Sequence, residues 1–101
     1  MKTDRELLEL AAKAAGMINV FACDAEGREV ESWWNPLNDD GDALRLAAKL
    51  MLNVLACAAC IVAEDENGVE CIEYMYGPED HTSGWRRAIV RAAAAIGEAM
   101  Q

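Results

Sequence analysis

The dipeptide Asn67-Gly68 constrains the fold of this chain most, because it separates two segments of strand-like sequence. Asn-Gly is the preferred pair for a tight turn between antiparallel strands, since both residues tolerate positive φ. The segment Asn53–Ala63 before it is apolar, with β-branched residues and cysteines, and Val69–Tyr76 after it alternates between two faces. The sequence therefore predicts a β-hairpin here, although the early part of the first segment could instead prolong the preceding helix.

Three segments have apolar residues at helical spacing and a capping residue at or near the start. The first covers residues 3–15. The second begins after the candidate N-caps at 38–40 and runs to about Leu52, and the third covers about Trp85–Met100, with Ser83 as its cap. Thr3 and Glu6 fit a capping box, and Gly16 is a typical stop for the first helix. Between the first two helices, Met17–Cys23 and Arg28–Trp34 are predicted to form a second hairpin, although its return strand alternates poorly.

The predicted order of elements is α-β-β-α-β-β-α, which indicates an α+β fold. We expect an antiparallel sheet of about four strands, in two hairpins, packed with three helices. Its 101 residues fit a single domain that spans 1–101. The start of the chain does not resemble a secretory signal, and its longest apolar run is shorter than the about 20 residues that span a bilayer. We therefore expect a cytoplasmic protein with no membrane association.

Acidic residues outnumber basic residues by 18 to 9, which gives a net charge of −9 and argues against direct binding of nucleic acid. No lysine or arginine lies between Glu64 and Asp80, so the hairpin is a candidate surface for a basic protein partner, with plain solubility as the alternative. The predicted contact residues are Glu64, Asp65, Glu66, Glu70, Glu73, Trp33 and Trp34. The tryptophans are included because this residue type is enriched at binding hot spots, but core packing of at least one is the alternative.

A local positive patch on the last predicted helix consists of Arg86, Arg87 and Arg91. Three arginines can bind an anion, or they can pair with the carboxylates of the chain itself. No nucleophile, base and stabiliser can be assembled from the sequence, so we predict no catalytic residue and no enzyme.

The four cysteines include one closely spaced pair, Cys57 and Cys60. A Cys-x-x-Cys pair suits redox or metal chemistry, but on a strand its two members face opposite sides. Cys23 and Cys71 stand alone and do not supply the second close pair that is typical of a zinc site. We therefore predict no metal and no cofactor, and interpret the cysteines as small apolar residues, with a metal site as the open alternative.

Three stretches resemble small proteins of tailed phages and prophages. They are WNPLNDDGDALRL at 34–46, WRRAIVRAAA at 85–94 and RELLELAAKAAG at 5–16. Proteins of this phage ABA-sandwich type have a sheet layered between helices, which agrees with the predicted order. The resemblance touches all three predicted helices but not Asn53–Tyr76, and it implies an accessory protein that works inside a bacterial cell.

Acidity and this resemblance together predict a non-enzymatic accessory protein that binds a bacterial host protein through acidic hairpin surfaces. Inhibition of a nucleic-acid-handling or defence complex is one concrete form of this hypothesis. The alternatives are a small-ligand or metal-binding module that uses the cysteines or the arginine patch, and a self-associating structural protein.

Overall fold

A computed structural model describes residues 2–17, 34–56, 60–68, 70–74 and 81–100. These residues form three helices and three strands. The elements are α1 Asp4–Ala14, α2 Asp40–Lys49, β1 Asn53–Ala56, β2 Cys60–Glu64, β3 Glu70–Tyr74 and α3 His81–Ala99. The α+β class is therefore confirmed. The described residues contain three strands rather than the four predicted, and the predicted hairpin at 17–34 falls almost entirely outside the described ranges.

The predicted hairpin at Asn67-Gly68 is confirmed, because β2 and β3 are antiparallel neighbours on either side of it. Five residues rather than two separate the paired ends Glu64 and Glu70. The Asp65 carboxylate accepts a hydrogen bond from the Asn67 amide at 3.0 Å, and Gly68 has φ 87. An aspartate that bonds the backbone two residues on forms a turn of its own, and this turn lengthens the connection.

The apolar segment 53–63 was predicted to form one strand, and this prediction is wrong. It folds back on itself to form β1 and β2, with Val54 opposite Ala63. The resulting antiparallel sheet has the order β1-β2-β3. A single strand of this length would exceed the usual five or six residues, which favours reversal of the chain.

Among the described elements, helix α3 packs against both other helices and against strands β2 and β3. Its Ala88 and Ala92 pack against Ile61 and Ala63 of β2, and these four residues are buried. A second core cluster joins all three helices and the segment before α2. It contains Leu8, Ala11, Ala12, Ala15, Trp34, Leu37, Ala43, Leu46, Ala47, Ile89, Val90 and Ala93. Because so many of these residues are alanine, the helix backbones can approach closely.

The N-caps of α1 and α2 confirm the sequence prediction. The Thr3 hydroxyl accepts a hydrogen bond from the Glu6 amide at 3.2 Å, and Asp39 accepts one from the Asp42 amide at 2.8 Å. Burial raises the pKa of Asp42, but the backbone hydrogen bond from Asn35 and the charge of Arg45 outweigh burial and lower the pKa overall. Helix α3 begins at His81, before the residue predicted as its cap, and α2 ends at Lys49 rather than near Leu52.

Helices α1 and α2 end in the same hydrogen-bonded motif but with different residues at its left-handed position. At the end of α2, the Met51 amide donates to the Ala48 carbonyl and the Leu52 amide to the Ala47 carbonyl. Met51 has φ 54, whereas the matching position of α1 is Gly16 with φ 71. A side chain in this conformation is strained, which is why glycine is preferred there.

Replacement of Met51 by glycine should raise the free energy of unfolding by about 1 kcal/mol, because it removes this strain. Little burial is lost, since Met51 is 72% exposed. The reciprocal variant, Gly16→Ala, should lower stability by a similar amount, because nothing lies within 4 Å of the added methyl group and only backbone strain changes. Urea unfolding followed by circular dichroism measures both, and a neutral Gly16→Ala would contradict the strain argument.

Candidate interaction surface

The sheet face that points away from α3 carries a row of apolar side chains. Val62 of β2 lies opposite Leu55 of β1 on one side and Ile72 of β3 on the other. Leu55 is 61% exposed and Ile72 is 37% exposed. We call Leu55, Val62 and Ile72 the apolar row, and the sheet face that carries it the outer face. Contiguous exposed apolar side chains rimmed by polar residues are typical of protein interaction sites.

A second pair on the outer face extends the apolar row. Tyr74 lies opposite Cys60, two residues along each strand from Ile72 and Val62. Tyr74 is 61% exposed. Tyrosine combines a large apolar ring with a polar tip, and it is enriched at the centres of protein interfaces.

The other end of the outer face is acidic. Glu64 and Glu70 lie directly opposite each other, and Asp65 and Glu66 follow in the turn; we call these four residues the acidic end. Like charges at directly opposed positions destabilise a sheet. Within the described ranges, Glu64, Glu66 and Glu70 form no ion pair with a lysine or arginine. Four of the five predicted acidic hairpin contacts therefore lie at one end of the apolar row.

Glu73 does not belong to this surface, so its grouping with the acidic hairpin needs correction. It lies opposite the buried Ile61, on the sheet face that packs against α3. Its carboxylate forms an ion pair with Arg91, and its side chain is 21% exposed. The physical reason is strand periodicity: three residues after Glu70, a side chain points to the opposite face.

Of the two tryptophans predicted as contacts, Trp33 lies outside the described residues and Trp34 is in the core. Trp34 is 4% exposed and belongs to the cluster of Leu37, Leu46 and Ile89. A side chain with so little exposed area is unavailable to a partner. The structure therefore supports core packing for Trp34, the alternative that the sequence left open.

The three arginines of α3 do not form one patch. The Arg86 Nε donates to the Leu37 carbonyl oxygen at 2.7 Å, and the same side chain forms an ion pair with Asp40 at the start of α2. Arg87 pairs with Asp4 of α1 at 3.2 Å, and Arg91 pairs with Glu73 of β3. Adjacent residues on a helix project about 100° apart, so Arg86 faces α2 whereas Arg87 and Arg91 share another face.

Arg87 and Arg91 line a cavity of about 470 Å³ between α1, β3 and α3. Lys2 and Cys71 also line it. Sequence reasoning did not associate Lys2 with the arginines, because the residues are more than 80 positions apart along the chain. Only the packing of α1 against α3 brings them together.

The two cysteines in the described residues lie on opposite faces of the sheet. Cys60 is on the outer face. Cys71 lies opposite the buried Ala63, on the sheet face that packs against α3. Burial raises the pKa of the Cys71 thiol, although the nearby Arg91 partly offsets this. Cys23 and Cys57 lie outside the described ranges. Among the described residues, no three metal-ligating side chains are grouped to hold a metal ion.

Comparison with known proteins adds no relative: no protein-family model, no curated protein and no solved structure matches this chain. The resemblance to tailed-phage proteins therefore stays a prediction. None of the helices in the described ranges is long and apolar enough to cross a membrane.

Proposed function

We propose that this protein is a non-enzymatic binding module whose outer face docks onto a protein partner with an apolar centre and a basic rim. The observation that carries this proposal is that the apolar row and the acidic end share one face of one sheet. The expected setting is a phage accessory protein that acts on a bacterial host protein. Proteins that handle nucleic acid suit this role, because their phosphate-binding surfaces are basic.

The two halves of the outer face make different contributions to such binding. Burial of the apolar row and Tyr74 supplies most of the affinity, since desolvated apolar and aromatic contacts dominate interface energies. The acidic end steers a basic partner towards the correct orientation and raises the association rate. A lysine or arginine placed between Glu64 and Glu70 would also relieve the repulsion between these two carboxylates.

A capture experiment with two matched leucine variants tests this proposal. Leu55 and Leu44 are both highly exposed, at 61% and 69%, but Leu44 lies on α2, away from the outer face. We expect that the wild type and Leu44→Asp capture the same protein from bacterial lysate, both with and without nuclease treatment. Leu55→Asp should weaken binding at least about tenfold, because it places an unpaired charge within the apolar row.

Three outcomes would overturn the proposal. One is that no captured protein is retained by Leu44→Asp and lost by Leu55→Asp. Another is a partner lost equally with both variants, because binding would then not depend on the outer face. The last is capture that disappears with nuclease, because nucleic acid would then bridge the two proteins.

Charge reversal of the acidic end tests the electrostatic half of the proposal on the purified partner. Glu64→Lys with Glu70→Lys should slow association at least about tenfold at low salt and change dissociation much less. Its control, Glu98→Lys, alters a 58% exposed carboxylate on α3, far from the outer face. Equal effects of the two charge reversals would show that net charge alone, rather than the acidic end, attracts the partner.

A further inference from the structure

The cavity between α1, β3 and α3 gathers basic residues in an acidic protein. Lys2, Arg87 and Arg91 line it, and they are three of the nine basic residues of a chain with net charge −9. Leu7, Ala94 and Ala95 form an apolar wall beside them. Its volume of about 470 Å³ is within the range of small-molecule sites, which is about 300–1,000 Å³.

Arg87 and Arg91 are placed one helical turn apart, so their side chains project from the same face of α3. Two like charges at this spacing destabilise a helix unless they have partners. Each has a carboxylate partner: Arg87 pairs with Asp4 of α1, and Arg91 pairs with Glu73 of β3, which itself lines the cavity. These carboxylates fix the two guanidinium groups in position at the cavity wall.

The cations keep hydrogen-bond donors for a ligand. Within the described part of the chain, Arg87 donates from Nη2 to Asp4, and Arg91 donates from Nη1 to Glu73 and to the Ile72 carbonyl oxygen. A guanidinium has five N–H donors, so each arginine keeps others. Arg87 and Arg91 are 39% and 42% exposed, and Lys2, which pairs with Glu98 at 3.0 Å, is 37% exposed. The cavity lining contains three cations, Lys2, Arg87 and Arg91, and two carboxylates, Glu73 and Glu98. The third paired carboxylate, Asp4, lies outside the lining.

We propose that this cavity binds a small phosphate monoester, with the phosphate between Arg87, Arg91 and Lys2 and an apolar body against Leu7, Ala94 and Ala95. Neighbouring guanidinium groups suit a tetrahedral oxyanion, since each offers paired donors in a fixed plane. A dianion is favoured over a carboxylate because three cations line the same cavity. The proposal concerns a different surface from the outer face and does not depend on protein binding there.

Calorimetric titration of the full chain with phenyl phosphate, at constant ionic strength, tests this site. We expect saturable binding that Arg87→Gln and Arg91→Gln each weaken at least about tenfold. Lys2→Gln should weaken it less, because a lysine acts as a single point charge. The matched control is Arg86→Gln, which removes the same charge from the adjacent position but faces α2, so binding should be unchanged. Circular dichroism of each variant establishes that it is folded.

Two results would overturn the proposal. If phenyl phosphate does not bind saturably up to about 10 mM, the cavity is not a phosphate site. If Arg86→Gln weakens binding as much as Arg91→Gln, attraction is diffuse and not localised in the cavity. Lys2→Gln keeps the test decisive even where an arginine variant is unfolded, because Lys2 lies before α1 and is exposed.

Discussion

The Gly97→Ala variant should lose about 3 kcal/mol of the free energy of unfolding, because it forces α1 and α3 apart. Gly97 is buried where the two helices cross. A methyl group at this position would lie 2.0 Å from the carbonyl oxygen of Leu10 and 2.8 Å from its carbonyl carbon. Both are backbone atoms of α1, so a rotamer change cannot relieve the clash and one helix must move.

Urea unfolding followed by circular dichroism measures this effect, with Gly41→Ala as the matched control. The nearest atoms to a methyl group at Gly41 are side-chain atoms of Arg45 and Asp39, at 3.2 Å. The Arg45 guanidinium can shift. The small adjustment required of Asp39, which caps α2, is offset because alanine is favoured over glycine in a helix by up to about 1 kcal/mol. Gly41→Ala should therefore be neutral or slightly stabilising. Equal stability of the two variants would show that the helix crossing is looser than the structure indicates.

The features that sequence reasoning predicted correctly depend on neighbours along the chain. Asn67-Gly68 predicted the β2–β3 hairpin, and Thr3 with Glu6 predicted the start of α1, because a turn or a cap is decided within a few residues. The alternation of β3 likewise placed Glu70 and Ile72 on one face. The acidic end of the candidate site was therefore predictable from sequence, since its four residues belong to one local hairpin.

The features that sequence reasoning missed depend on contacts between distant parts of the chain. The segment 53–63 has no alternation, so its reversal into two strands left no periodic signal. Leu55 becomes part of the outer face only through this reversal, which aligns it with Val62. From the sequence, Gly97 is simply a residue that destabilises α3. Only the crossing with α1 explains why a glycine is there.

For Trp34 the sequence allowed two opposite interpretations: an exposed contact with a partner, or a buried side chain in the core. Its 4% exposure decides in favour of the core. Trp34→Ala should lower the free energy of unfolding by about 3–5 kcal/mol, through lost burial and the cavity left behind. A domain of this size has about 5–15 kcal/mol in total, so this one change should remove a large part of its stability.

Trp85→Ala is the control for this prediction, because Trp85 is the same residue type but 38% exposed. Its cost should be clearly smaller, since part of the ring is already in contact with water. Both variants are compared by urea unfolding, and Trp34→Phe should recover much of the loss by filling most of the cavity. If Trp34→Ala instead retained nearly all its stability but lost a partner that the wild type binds, the indole would be an interface residue. The partner-binding surface would then extend from the outer face to the segment before α2.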